Sequence, residues 1–324
     1  MKSVSVVIPL FNEKDSLEEL YTRLTDELKK TGLDSEVIFV DDGSRDGSDE
    51  ILDGILRKGD RVRVIRLRRN FGKSAALCAG FEKAAGDIVV TMDADLQDRP
   101  EEIHSLIDRL REGKDLVSGW KKVRRDRFTK RFASWVFNRV TNLLTGVPLH
   151  DMNCGFKAYR REVIEEITVY GEMHRYIPVL ASYKGFRIDE IPVEHDKRKH
   201  GRTKFGMERY VGGFFDLLTV IMLTRYNRKP LHIFGVIGVG MIALGIAIEA
   251  YLTIGWIYGR WIEDRPAFML GILLLIVGVQ CMSFGLVAEM VAWATRREQD
   301  FSIREDSGPV KNPRIPRIMK DSKA

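Results

Sequence analysis

The sequence predicts an α/β domain with a mainly parallel sheet, followed by interfacial helices and two transmembrane helices. Up to about residue 204, short runs rich in Val and Ile alternate with segments of helical spacing, which is typical of parallel strands buried on both faces. Beyond residue 230, two stretches are almost continuously apolar. We therefore predict four parts: a domain at 1–204, interfacial amphipathic helices at 205–230, a transmembrane hairpin at 231–294 and a basic cytoplasmic tail at 295–324.

The elements of the domain follow one another in order along the chain. "SVSVVIPLF" predicts a first strand, and "SLEELYTRLTDELKKTG" predicts a helix that stops at a glycine. "EVIFVDDGS" and "DIVVTMDAD" are apolar runs that end in acids, "RVRVIRLRRN" alternates as a strand does, and "KSAALCAGFEKAAG" predicts a helix of small residues. Because ligands of such sheets bind beyond the carboxyl ends of the strands, these polar ends are the candidate site.

The two apolar stretches run from Leu231 to Tyr258 and from Ala267 to Ala294. At about 1.5 Å per residue, each can cross a hydrocarbon core of roughly 30 Å. Basic residues precede the first stretch and follow the second, so the positive-inside bias predicts a multi-pass protein of the plasma (inner) membrane with its domain and both termini in the cytoplasm. Glu249 and Glu289 interrupt the stretches towards their ends, where a charge costs less than at the bilayer centre.

Composition narrows the class of partner. The net charge of +6 and the pI near 9.1 favour partners that carry phosphates. The three cysteines lie far apart without CxxC spacing, which is typical of a reduced compartment and indicates neither a disulfide nor a zinc site.

Three predicted strands end in polar clusters: "PLFNE" at 9–13, "DDGSRDGS" at 41–48 and "DADLQD" at 93–98. Carboxylates gathered on one edge are costly unless a cation or sugar hydroxyls occupy it. An Asp-x-Asp pair suits Mg²⁺ or Mn²⁺, and such an ion stabilises a departing diphosphate. If the chain stays extended, Gln97 points the same way as Asp95, whereas Asp98 is expected to begin the helix of "DRPEEIHSLIDRL".

These segments, followed by "DMNCGFKAY", resemble in order the family 2 glycosyltransferases with the GT-A fold. More narrowly, the chain is similar to polyisoprenyl-phosphate glycosyltransferases, which include dolichol-phosphate mannose synthases and bacterial undecaprenyl-phosphate glucosyltransferases. The resemblance implies transfer of one sugar from a nucleotide-diphosphate sugar, with UDP-glucose favoured, to undecaprenyl or a related polyisoprenyl phosphate. The expected partners are therefore the donor, the lipid and the membrane, without nucleic acid, and a homo-oligomer is left open.

The resemblance also implies roles for individual residues. Asp93, Asp95 and Gln97 would hold Mg²⁺ or Mn²⁺, and Asp95 and Asp151 would serve catalysis. "GKS" at 72–74 lacks the first glycine of a P-loop, and the family pattern places Lys73 near the nucleotide instead. The residues expected to contact the nucleotide are Pro9, Phe11, Glu13, Asp41, Asp42, Lys73 and Asp93.

Two basic runs, 121–131 and 196–205, lie on the expected acceptor side. By resemblance, Arg124 and Arg131 would bind the lipid phosphate, and Arg198 and Lys204 the donor diphosphate. Asp151 is expected to orient the acceptor or sugar rather than remove a proton, because a phosphate monoester is largely ionised at neutral pH. Cys154 is not expected to act as a nucleophile.

Two alternatives stay open from the sequence. A processive polysaccharide synthase would use the same domain, although the chain shows no QxxRW-like motif and two spans are few for a translocation channel. A non-catalytic membrane scaffold that binds nucleotide sugars is the second, and the intact acids argue against it.

Overall fold

The structure, a computed structural model, describes most of the first 196 residues and the two apolar helices. The described residues are 1–59, 61–122, 138–167, 171, 173–196, 217, 219–220, 222, 230–259 and 265–294. The strands are β1 Ser3–Leu10, β2 Asp34–Asp41, β3 Val62–Arg66, β4 Ile88–Thr91, β5 Leu116–Lys121, β6 Lys157–Arg160 and β7 Ile188–Val193. The helices of the domain are α1 Leu17–Thr31, α2 Ser48–Lys58, α3 Lys73–Lys83, α4 Ile103–Arg111, α5 138–145, α6 Arg161–Glu166 and α7 Ile177–Tyr183.

The seven strands form one sheet in the order β3-β2-β1-β4-β6-β5-β7. All neighbours pair in parallel except β6, which is antiparallel to both β4 and β5. In this register the carboxyl ends of the six other strands meet at one edge of the sheet, and β6 begins at that edge. We call it the carboxyl edge.

Two apolar cores cover the two faces of the sheet. On one face α1, α2 and α4 pack on the strands, and on the other face α3, α7 and residues 217 and 220 do so. The helix α1 shows why the sequence folds this way: Leu17, Leu20, Leu24 and Leu28 recur on one side and are all buried, and Gly32 ends the helix at φ 66°. Each such leucine contributes about 1.5–3 kcal/mol of burial free energy.

The first apolar helix, Pro230–Ile257, and the second, Arg265–Ala294, pair along their glycines. A Cβ on Gly238 would lie 2.7 Å from the Gly278 carbonyl oxygen, and one on Gly245 would lie 2.9 Å from that of Gly271. Close approach through small residues is how membrane helices associate. Both helices are long and apolar enough to cross a bilayer, as the sequence predicted.

The acid near the end of the second helix has a structural partner. An oxygen of the Glu289 carboxylate accepts a hydrogen bond of 3.2 Å from the backbone N–H of Leu231. That N–H belongs to the first turn of the first apolar helix, whose donors have no partner within the helix. Glu289 therefore caps the start of the neighbouring helix.

Candidate active site

Asp93 lies just beyond the end of β4, at the centre of the carboxyl edge. Its carboxylate forms an ion pair with the ammonium of Lys73, the first residue of α3. On the other side, Gly155 approaches so closely that a Cβ there would lie 2.7 Å from both Asp93 oxygens. The side chain of Asp93 is 32% exposed, so it is fixed in place and still open to a ligand.

The chain turns sharply after Asp95, so it does not stay extended, which was the condition for Gln97 to point the same way as Asp95. Leu96 has φ 59° and is buried, so it takes a left-handed conformation that few side chains adopt. The backbone N–H of Gln97 donates a hydrogen bond of 3.2 Å to the Asp95 carboxylate. The side-chain amide of Gln97 donates to the backbone oxygen of Asp196 at 3.4 Å. Burial of Leu96 offsets the backbone cost of this turn.

Asp98 does not cap a helix, in contrast to the prediction. The next helical turn begins at Pro100 and α4 begins at Ile103, without a side-chain cap on either. Asp98 is instead 1% exposed and lies 3.2 Å from the Lys121 ammonium and 3.6 Å from Nδ1 of His195. The sequence "DRPEE" suits either a helix cap or a buried ion pair at Asp98. It cannot distinguish them, because the partners of Asp98 come from distant segments.

The charges of this buried pair stabilise each other. Burial alone would raise the pKa of Asp98, but the attraction of the Lys121 ammonium and of the nearby His195 ring outweighs it and lowers the pKa well below its ordinary value. Burial likewise acts to lower the pKa of Lys121, and the field of Asp98 raises it above its ordinary value. Both groups are therefore ionised at neutral pH.

The ends of β1 and β2 border an open cavity of about 400 Å³. Phe11 and Asp41 line it, together with Arg68, Arg69 and Asn70. One Asp41 oxygen accepts a hydrogen bond of 2.9 Å from the backbone N–H of Ser44, which holds the carboxylate at the rim. This is the place where the sequence predicts the nucleotide.

The turn after β1 is fastened to the β2 loop by Asn12. Its backbone N–H donates to the Ser44 hydroxyl at 2.8 Å, and its side-chain oxygen accepts from the N–H of Arg45 at 2.8 Å. Asn12 has φ 53°, a conformation that asparagine tolerates better than most residues. Two further predicted contacts flank this turn: Pro9 is buried within β1 opposite Val40, and the Glu13 backbone oxygen accepts from Ser16.

Both carboxylate oxygens of Asp42 are used in hydrogen bonds within the protein. Its two carboxylate oxygens accept hydrogen bonds from the backbone N–H groups of Phe71 at 2.7 Å and Gly72 at 2.8 Å. Because Gly72 immediately precedes α3, this contact fixes where that helix starts. Asp42 thereby places the Lys73 side chain against Asp93.

Asp151 lies in the loop before β6 and is 1% exposed. One of its oxygens accepts a hydrogen bond of 3.2 Å from the N–H of Asn153. Lys157, fully buried at the start of β6, donates to the backbone oxygen of Cys154, and burial lowers its pKa. Burial also raises the pKa of Cys154 to about 12, so the thiol stays protonated and is a poor nucleophile.

The predicted acceptor and diphosphate contacts, Arg124, Arg131, Arg198 and Lys204, lie outside the described residues. The structure does show where their two segments start. Lys121 is the last residue of β5, and Asp196 follows β7, where its N–H donates to the Gln97 backbone oxygen at 2.9 Å. Both basic runs therefore begin at the carboxyl edge, next to the Asp93 segment.

The donor set suits a hard divalent cation. No group of three His, Cys, Asp or Glu side chains in the described part of the chain is arranged to hold a metal by itself. Magnesium-type ions, however, are commonly bound through one or two carboxylates together with substrate phosphates. Asp93 already attracts a cation, the Lys73 ammonium, at this position. The residues present therefore fit a metal that arrives with a diphosphate.

Sequence reasoning missed Lys121, His195, Lys157 and Gly155 as parts of the site. Lys121 is one of several basic residues in a run, and His195 follows a strand with no motif around it. Their importance depends on burial and on contacts with residues far along the chain, from Lys121 with Asp98 to His195 with Asp98, for which a single sequence carries no signal.

Comparison with known proteins agrees with this architecture. Residues 5–168 match the profile of the family described as "Glycosyl transferase family 2". The chain is 39% identical over 297 residues to a dodecaprenyl-phosphate galacturonate synthase of Rhizobium johnstonii, covering 89% of this chain and 87% of that protein. It is 36% identical over 294 residues to an undecaprenyl-phosphate 4-deoxy-4-formamido-L-arabinose transferase of Aeromonas hydrophila, covering 90% and 89%.

Solved structures show the same fold at lower identity. Glucosyl-3-phosphoglycerate synthase from Mycobacterium tuberculosis, crystallised with Mn²⁺, UDP and phosphoglyceric acid, superposes with a TM-score of 0.54 at 20% identity, covering 69% of this chain and 78% of that one. The resemblance to GT-A enzymes expected from the motifs is thus confirmed. The order of the strands, the acids at the carboxyl edge and the family match together show that this chain belongs to the family 2 glycosyltransferases.

Proposed function

We propose that the enzyme transfers one sugar from a nucleoside-diphosphate sugar to a polyisoprenyl phosphate, most simply undecaprenyl phosphate, at the cytoplasmic face of the inner membrane. The observation that carries this proposal is that Asp93 and Asp95, directly after β4, and buried Asp151, in the loop before β6, lie at the same carboxyl edge, in a chain that also carries two long apolar helices. The two relatives named above, which act on dodecaprenyl and undecaprenyl phosphate by name, support the choice of acceptor.

On the donor side, the nucleoside enters the cavity beside Phe11 and Asp41. A carboxylate only accepts hydrogen bonds, so Asp41 suits ribose hydroxyls or the N–H of a uracil ring. Asp93 and Asp95, with Gln97, would hold Mg²⁺ or Mn²⁺, and the positive charge of such an ion would stabilise the negative charge that develops on the departing diphosphate. Lys73 lies close enough to share that charge.

On the acceptor side, the lipid phosphate supplies the nucleophile. A phosphate monoester carries about 1.5 to 2 negative charges at pH 7, so its oxygen attacks the anomeric carbon without a strong base. Asp151 orients the sugar, and direct attack opposite the diphosphate inverts the anomeric configuration. Arg124 and Arg131 bind the lipid phosphate, and Arg198 and Lys204 close over the donor diphosphate.

The sugar itself is the finer part of the proposal. The motifs favour UDP-glucose, whereas the two relatives are named for galacturonate and for a formamido-arabinose. The cavity contacts proposed above concern the nucleoside, so they do not distinguish one sugar from another. A panel of UDP-glucose, UDP-galacturonate and UDP-4-deoxy-4-formamido-L-arabinose decides among them.

The test uses the purified full chain in detergent with undecaprenyl phosphate and each labelled donor, in the presence of Mg²⁺, Mn²⁺ or EDTA. We expect one labelled lipid, carrying one sugar, that requires metal and disappears in Asp95→Asn. A ladder of polymer would instead indicate a processive synthase. UDP binding without a lipid product from any donor would favour the scaffold.

A further inference from the structure

Asp98 occupies a position that neither a helix cap nor a metal ligand explains. One of its oxygens accepts a hydrogen bond of 3.3 Å from the backbone N–H of Asp93, within the metal-binding segment. The other oxygen faces the Lys121 ammonium at 3.2 Å and Nδ1 of His195 at 3.6 Å. A single buried carboxylate thus contacts three separate segments of the chain.

Each of those segments leads to a different part of the site. Lys121 is the last residue of β5 and opens the basic run 121–131. His195 pairs with Asp98 as a short antiparallel bridge and immediately precedes the basic run 196–205. Asp93 belongs to the pair of acids at the end of β4.

Neighbouring contacts also hold the segment after β7 against the segment that contains Asp98. Arg99 forms two hydrogen bonds to the Asp196 carboxylate, at 2.7 and 2.9 Å, and an ion pair with Glu194. The backbone of Asp196 also bonds to Gln97. Residues 194–196 therefore lie against residues 97–99, with Asp98 as the buried member of the pairing.

We propose that Asp98 is a positioning residue that holds the starts of the two basic runs and the Asp93 backbone in a common geometry, so that donor and acceptor are aligned through one buried carboxylate. It contacts neither substrate itself. This proposal deepens the proposed function and rests on it, because the roles of the two basic runs come from the proposed function.

The first test needs no substrate and so is independent of the proposed function. Hydrogen–deuterium exchange is compared at the ends of β5 and β7, residues 119–122 and 193–196. We expect Asp98→Asn to lose protection at both, Lys121→Met mainly at the first, and His195→Gln mainly at the second. Unchanged protection at both ends in Asp98→Asn would overturn the proposal.

A matched control removes a comparable carboxylate at the opposite edge of the sheet. Asp115 lies 3.1 Å from Nε of Arg187 and 3.4 Å from Nε of Arg160, and its side chain is 15% exposed. Asp115→Asn should lower the melting temperature without changing protection at 119–122 or substrate affinity. If it changes these as Asp98→Asn does, the effect is general destabilisation and the proposal fails.

The second test measures ligands. We expect Asp98→Asn to raise both the Kd for UDP with Mn²⁺ and the KM for undecaprenyl phosphate by roughly 10- to 100-fold, the cost of misplacing reacting groups by about 1 Å. Lys121→Met should act mainly on the acceptor KM and His195→Gln mainly on the UDP Kd. If exchange behaves as expected but no lipid reacts, the proposed function is wrong while the positioning role stands.

A double variant separates positioning from charge balance. Removing one member of a buried ion pair is strongly destabilising, whereas removing both is much less so. Asp98→Asn combined with Lys121→Met should therefore recover much of the melting temperature lost in Asp98→Asn without recovering UDP affinity. Recovery of both would show that Asp98 only neutralises Lys121.

Discussion

Replacement of Gly155 by alanine tests whether the Asp93 carboxylate must stay where the fold holds it. An added Cβ would lie 2.7 Å from each carboxylate oxygen and 2.8 Å from Cγ, whereas ordinary contact begins at 3.4 Å. The carboxylate must therefore retreat by about 0.7 Å, the difference between 3.4 and 2.7. Gly155 does not have positive φ, so alanine adds this one clash without backbone strain.

The size of the effect follows from that displacement. A misplacement of about 1 Å at a reacting centre can cost roughly 100-fold, so a shift of about 0.7 Å predicts a loss of kcat/KM of about 10- to 100-fold. In activation free energy this is about 1.4–2.7 kcal/mol. The loss should also appear in the Kd for UDP with Mn²⁺, because Asp93 is expected to hold the metal.

The assay combines isothermal titration of UDP and Mn²⁺ with turnover of the lipid acceptor. Gly54→Ala in α2 is the matched control, because a Cβ at Gly54 meets nothing within 4 Å. It should bind and turn over as wild type and gain about 0.5–1 kcal/mol of stability from helix propensity. Wild-type affinity and turnover in a folded Gly155→Ala protein would refute the role given to Asp93.

Three further outcomes are expected. Lys73→Met should bind Mn²⁺ several-fold more tightly in electron paramagnetic resonance titrations without nucleotide, because the ammonium no longer competes for Asp93; weaker binding would contradict that pairing. Cys154, with its pKa raised by burial to about 12, should resist iodoacetamide at pH 8 in the native protein and react after unfolding, as read by mass spectrometry; rapid native labelling would show that it is accessible and ionised. Gly278→Leu should lower the melting temperature of the detergent-solubilised chain because its side chain would clash with the facing helix, whereas Gly240→Leu, with open space around it, should not.

Much of the fold could be predicted because strands buried on both faces of a sheet are visible in the sequence as short, nearly continuous apolar runs. The Val and Ile runs of β1, β2 and β4 identify a parallel sheet without any knowledge of its partners. The antiparallel strand Lys157–Arg160 could not be found in the same way, since two of its four residues are basic and it forms no apolar run. Its place between β4 and β5 is decided by tertiary pairing.

In the site, too, the residues that could be predicted are those marked by the local sequence, and those that could not depend on distant contacts. Asp93 and Asp95 could be identified because two acids directly after an apolar strand are locally unusual. The turn at Leu96 could not, because leucine gives no sign of a left-handed backbone and only its burial explains it. Asp98 was misassigned because its nearest sequence neighbours suit a helix start, while its partners Lys121 and His195 come from other strands.

The carboxyl edge also shows how the fold keeps several acids close together. Lys73 pairs directly with Asp93, and Lys121 pairs with Asp98 and is also attracted by Asp93 and Asp151. The acids are therefore balanced by lysines that the fold places among them, rather than by solvent alone. Since the Lys73 side chain is 30% exposed and that of Lys121 only 17%, Lys73 is the cation that an incoming metal and diphosphate can displace more easily. Lys121 remains paired with Asp98 and holds the geometry, which is why we assign displacement by the metal to Lys73 and alignment to the Asp98 contacts.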